Sequence, residues 1–100
     1  MSKISSLFQK KTKSFFKKFR KFNALNNLDK KLLKYINYNN GFYIECGAND
    51  GVDQSNTWYF EKFKNWHGIL IEAHPEMFRE LKKNRDKNIL VNKFLVSNNY

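Results

Sequence analysis

Four carboxylates and two glycines stand in an order suited to holding a cationic nucleoside: Glu45, then Gly47-Ala48-Asn49-Asp50-Gly51, then Asp53, with Glu72 placed 21 residues beyond Gly51. A glycine loop between a strand and a helix lets the backbone approach a ligand, and an acid about 20 residues further on can chelate the two hydroxyls of a ribose. An adenosine-type cofactor follows from that spacing. Charge then selects among such cofactors. A pyrophosphate asks for Gly-x-Gly-x-x-Gly and a helix start free of acids, whereas here the spacing is Gly47-x-x-x-Gly51, and Asp50 and Asp53 stand where a phosphate would be repelled. S-adenosylmethionine carries a sulfonium, an ammonium and a ribose diol but no phosphate, and it suits the four acids. Taken singly, each feature has a plainer reading: Gly-x-x-x-Gly as a tight turn, and Glu72 as an ordinary acid ahead of a helix that begins at Pro75.

These residues need elements to position them. Phe42-Tyr43-Ile44 is a run of strand formers that leads through Glu45 and Cys46 into the loop, and the spacing predicts a helix from about Asp53 to Phe63. Gly68-Ile69-Leu70-Ile71 repeats the strand and ends at Glu72. Pro75 opens a second helix, with Met77, Phe78 and Leu81 on one face. A third apolar run extends from Ile89-Leu90-Val91 to Phe94-Leu95-Val96. Strands alternating with helices predict an α/β fold, a Rossmann-like parallel sheet with helices on both faces, and ligands in such a sheet sit at the carboxyl ends of the strands. Trp58, Tyr59, Phe60, Phe63 and Trp66 read as core, and Cys46 as a buried small residue.

The ordered combination Ile44-Glu45-Cys46-Gly47-Ala48-Asn49-Asp50-Gly51, Gln54-Ser55-Asn56-Thr57, Gly68-Ile69-Leu70-Ile71-Glu72 and Pro75-Glu76-Met77-Phe78 resembles the front half of an FkbM-type methyltransferase. The resemblance covers about residues 41 to 98. It implies a Rossmann-like fold and transfer of a methyl group from S-adenosylmethionine, commonly to a hydroxyl of a sugar or other natural product. It also implies roles: Glu45 for the methionine ammonium, Gly47 and Gly51 for close backbone approach, Asn49 and Asp50 at the methionine end, Glu72 for the ribose, and Ala73 and His74 beside the nucleoside. Members of the family continue through further strands, including one with an acidic motif near the acceptor. The sequence ends at Tyr100, just after the third strand, so the acceptor half and its catalytic base are expected to lie outside it, either in an interrupted frame or in a second chain that completes the sheet.

Composition adds location rather than chemistry. The chain has 100 residues and a formal charge of +10, enough for one small domain. Residues 1–40 hold eleven Lys and Arg with Asp29 as the sole acid, while residues 41–100 hold eight of each sign. The excess belongs to the leader. On a helical period, Ile4, Leu7, Phe8, Phe15, Phe19 and Phe22 share one side and Lys3, Lys10, Lys13, Lys17, Arg20 and Lys21 the other, which predicts a basic amphipathic helix over residues 1–26. Such a helix suits an anionic membrane surface or packing on the neighbouring domain. Nucleic acid is disfavoured, because single-strand binders mix aromatics with cations and here the two are segregated.

Residues 27–100 would then form the cofactor-binding part of the methyltransferase domain. They open on a second helix carrying Leu28, Leu32, Leu33, Tyr35 and Ile36, with Asn27 as N-cap and Asn39-Asn40-Gly41 as its stop. A single cysteine, no membrane-spanning run and no secretory apolar stretch predict a cytoplasmic protein, peripheral to the membrane if the leader binds lipid. His67 and His74 lack partners at metal spacing, so no metal is expected; His74 reads as an N-cap or a nucleoside neighbour. The competing reading is a non-catalytic binding module, attached through the leader to anionic membrane or nucleic acid.

Overall fold

A computed structural model describes Phe16 and residues 18–98. Three strands, β1 (Phe42–Cys46), β2 (His67–Ile71) and β3 (Ile89–Val91), form one parallel sheet in the order β1-β2-β3. The connections carry α2 (Trp58–Lys64) and α3 (Pro75–Asn84), and α1 (Leu28–Leu32) precedes the sheet behind a 3-10 turn at Leu25–Asn27. The chain is an α/β protein with an open parallel sheet of the Rossmann kind.

Burial alternates along the strands as the pleat requires. Tyr43 and Glu45 of β1 face inward, opposite Gly68 and Leu70 of β2. Tyr59 and Phe60 of α2 and Leu81 of α3 join Tyr43, Leu70 and Trp66 in one cluster, with Phe78 and Leu90 against it. Both helices therefore cover the same face, as two right-handed crossovers running in the same direction must. Helices were expected on both faces; among the described residues the second face is open, with Phe42 and Ile44 each 62% exposed and Ile89 60%. Cys46 lies exposed on that face, not buried, because its position in β1 is one step out of phase with Tyr43 and Glu45.

The helix starts also depart from the sequence expectation. α2 begins at Trp58 and not near Asp53, because Gln54 takes a left-handed conformation (φ 61°) and the Asp50 carboxylate accepts from the N–H groups of Val52 and Asp53, closing a turn instead. Ser55 Oγ accepts from the N–H groups of Thr57 and Trp58 and starts the helix there. Asn65, left-handed at φ 55°, ends it. α3 opens at Pro75 as expected, with His74 Nδ1 accepting from Met77 N. α1 stops at Leu32, short of the Asn39-Asn40-Gly41 stop; turns continue to Tyr35. Asn27 holds the N-cap position without a capping side-chain bond. Phe94, Leu95 and Val96 lie beyond β3, each more than 60% exposed. Phe63 is also half exposed.

Of the basic amphipathic helix expected over residues 1–26, residues 1–15 and 17 lie outside the described residues. Residues 18–24 are not helical. Phe22 stacks on Tyr59 at 4.7 Å, and Ala24 bridges Gln54. Packing thus reaches back past residue 27, where the sequence suggests a boundary. Buried Asp29 fixes this segment, since its carboxylate accepts from the N–H groups of Asn23 and Ala24. No helix among the described residues is long and apolar enough to cross a membrane.

Among the described residues one ion pair has both side chains inside the core. Arg85, fully buried after α3, donates from Nε to Glu61 Oε1 at 2.8 Å. Burial would raise the Glu61 carboxyl, but the charge of Arg85 and hydrogen bonds from Arg85, Asn88 and Lys62 outweigh it and hold the group at about 2. Burial pushes the Tyr43 hydroxyl the other way, up to about 12, against the pull of Arg85.

Leu81→Ala, at a fully buried position, is expected to cost about 2–5 kcal/mol in urea unfolding. Glu61, with its carboxyl held down, contributes stability that is complete above its ordinary value of 4.5 and lost as pH falls toward about 2. In a pH series of unfolding curves, Glu61→Gln should flatten the decline across that window. At neutral pH it should lower stability by about 3–5 kcal/mol, because Arg85 is left buried without its counter-charge.

Candidate functional site

A cavity of about 640 Å³ opens at the carboxyl ends of β1 and β2, within the range for small-molecule sites. Glu45, Cys46 and Gly47 line it from the end of β1, and Glu72 from the end of β2. The loop contributes Ala48, Asn49 and Asp53 to Asn56. Parallel strands place these ends side by side, so acids far apart in sequence meet at one rim.

Glu45 is 8% exposed. Its Oε1 accepts from Ser55 Oγ at 3.2 Å, its Oε2 from Asn56 N at 3.3 Å, and Thr57 Oγ1 sits 3.3 and 3.4 Å from the two oxygens. Burial raises its carboxyl above the ordinary value; Arg85 and the bonds from Ser55, Asn56 and Thr57 oppose that rise without cancelling it. Glu72 is held by backbone alone: Oε1 accepts from Asn49 N at 2.7 Å and Oε2 from His74 N at 2.8 Å. Each oxygen of a carboxylate has a second lone pair, so Glu72 retains acceptor capacity on both.

The glycines do different work. Gly47 has φ 70°, and a Cβ there would meet no atom within 4 Å, so the absent side chain leaves room at the cavity wall. Gly51 has φ 84°, and a Cβ would stand 2.5 Å from Arg85 Cγ and 2.7 Å from Leu81 Cδ1. It is the packing contact between loop and α3. Asn84 Nδ2 donates to the Asp50 carbonyl and Arg85 to the Gly51 carbonyl, both at 2.8 Å.

Of the eight residues singled out in the sequence, Glu45, Gly47, Asn49 and Glu72 line the cavity. Asp50 and Gly51 are buried and shape the loop, while Ala73 and His74 follow Glu72 outside the lining. Sequence reasoning missed the facing wall, made by Leu25, Asn26, Leu28 and Lys31. One signal for it existed: Asp29, the single acid of the basic segment, whose carboxylate ties that wall down. Among the described residues no group of three or more His, Cys, Asp or Glu is placed to hold a metal ion.

The acidic lining, Glu45, Asp53 and Glu72 against one lysine, can bind a ligand with a cationic head and a vicinal diol. No curated protein and no solved structure matches the chain. The model of the methyltransferase FkbM domain matches residues 45–99, just over half of the chain, from the first cavity acid through the glycine loop, Glu72 and β3. On that match, the chain belongs to the FkbM methyltransferase domain family.

Proposed function

We propose that the chain binds S-adenosylmethionine as the cofactor part of a methyltransferase that methylates a hydroxyl of a sugar or other natural product. The family implies a cofactor of this type, and the residues fit it. When bound, S-adenosylmethionine supplies an electrophilic methyl group on a sulfonium. Glu45 would hold the methionine ammonium, Glu72 would accept from the ribose hydroxyls, and Gly47 and Asn49 would let the backbone approach. The pairing of Glu45 and Glu72 across one cavity, with phosphate-repelling Asp53 beside them, carries this reading. Methyl transfer to a hydroxyl also needs in-line placement and a base; the cavity acids are committed to holding the cofactor, so the acceptor side is built by other residues.

Isothermal titration of the full chain with S-adenosylmethionine and S-adenosylhomocysteine tests the proposal. Saturable binding of both is expected, together with weaker binding in Glu72→Ala by about tenfold or more, the scale of a lost hydrogen bond to a charged group. Absence of heat from a folded chain, or tighter binding of a dinucleotide than of S-adenosylmethionine, would overturn it.

A further inference from the structure

Arg85 lies outside the cavity lining, yet its hydrogen bonds lead to it. All five of its N–H groups are engaged. Nε donates to Glu61, Nη1 to the Gly51 carbonyl at 2.8 Å and to Ser55 Oγ at 3.2 Å, and Nη2 to Tyr43 Oη at 2.8 Å and to Thr57 Oγ1 at 3.0 Å. Of the three hydroxyls it reaches, those on Ser55 and Thr57 also contact the Glu45 carboxylate.

The direction of these bonds is forced. A guanidinium has donors and no acceptor, so Ser55 Oγ and Thr57 Oγ1 must accept from Arg85. Each hydroxyl has a single proton, and since every other group facing Ser55 Oγ, the N–H groups of Thr57 and Trp58 and Arg85, donates to it, that proton is left to point at Glu45, as is the proton of Thr57 Oγ1. Two parallel relays therefore run from the guanidinium through a hydroxyl to the carboxylate. Hydroxyl donors pointed at a carboxyl group favour its anionic form.

We infer that Arg85 is a positioning residue of the cofactor site, which through Ser55 and Thr57 presents Glu45 to the cavity as a carboxylate and through the Gly51 carbonyl holds the glycine loop in register with it. The inference rests on the reading of Glu45 as the partner of the cofactor ammonium. Burial raises the Glu45 carboxyl, while the charge of Arg85 and the hydrogen bonds from Ser55, Asn56 and Thr57 lower it, so the relays act against the cost of burying this acid. The other titratable groups around it are Glu61 and Tyr43 on the far side of Arg85, and Cys46, Asp53, Glu72 and Lys31 around the cavity.

Thr57→Val in the full chain removes one relay and spares the Arg85–Glu61 pair; Ser55→Ala removes the other. Carboxyl carbon NMR across a pH series should show the Glu45 midpoint moved upward in Thr57→Val while Glu61 stays low, and Thr57→Ser should restore it. S-adenosylhomocysteine binding should weaken about tenfold, with the loss growing toward lower pH as Glu45 protonates. Arg85→Met, if it folds, should move Glu45 further in the same direction. An unchanged Glu45 midpoint in folded Thr57→Val and Ser55→Ala overturns the inference, even if both lose stability. Should the unsubstituted chain bind no cofactor, the cofactor reading fails on that result, while the Glu45 titration still decides the relay.

Discussion

The burial of the Arg85 guanidinium constrains the rest of the molecule. Moving a charge of that kind out of water costs several kcal/mol, which is offset only when a counter-ion and a full set of acceptors replace the solvent. Glu61 supplies the counter-ion, and Gly51, Ser55, Tyr43 and Thr57 supply the acceptors. Those residues belong to α2, the glycine loop and β1, so satisfying one side chain from the end of α3 fixes three other parts of the structure. The core packs around that arrangement, with Leu81 and Gly51 in contact with or adjacent to the Arg85 stem.

The loop between β1 and α2 is the second consequence. It folds back on itself through left-handed Gly47, Asn49, Gly51 and Gln54, while Asp50 ties its turn and Ser55 ends it. Residues that would otherwise extend α2 toward Asp53 instead wrap the Glu45 carboxylate. Parallel strand ends bring Glu45 and Glu72 to the cavity, and this folding back adds Asp53 to the same lining.

Much of this was legible in the chain itself. Strand formers at Phe42 to Ile44 and Gly68 to Ile71, Pro75 at a helix start, and the distance from Gly51 to Glu72 identify the alternation and the two strand ends. Less legible was the exposure of Phe42, Ile44, Cys46 and Ile89, because a period-two pattern marks two faces without saying which of them is covered. The helical period of the leader likewise did not reveal that Phe22 leaves that pattern to stack on Tyr59.

The sequence by itself determined the family, the parallel α/β order and the two acids that close the cavity, because those depend on residue type at short, fixed spacing. Tertiary structure decided which residues serve the acids. Ser55 and Thr57 fall within the helix expected from about Asp53, Asp29 is the single acid of a basic segment, and nothing in the spacing singles out Arg85, until folding brings it into hydrogen-bond contact with Tyr43, 42 positions away. The reason is physical: spacing along a strand or helix sets local direction, whereas a buried charge must find its partners wherever the fold puts them.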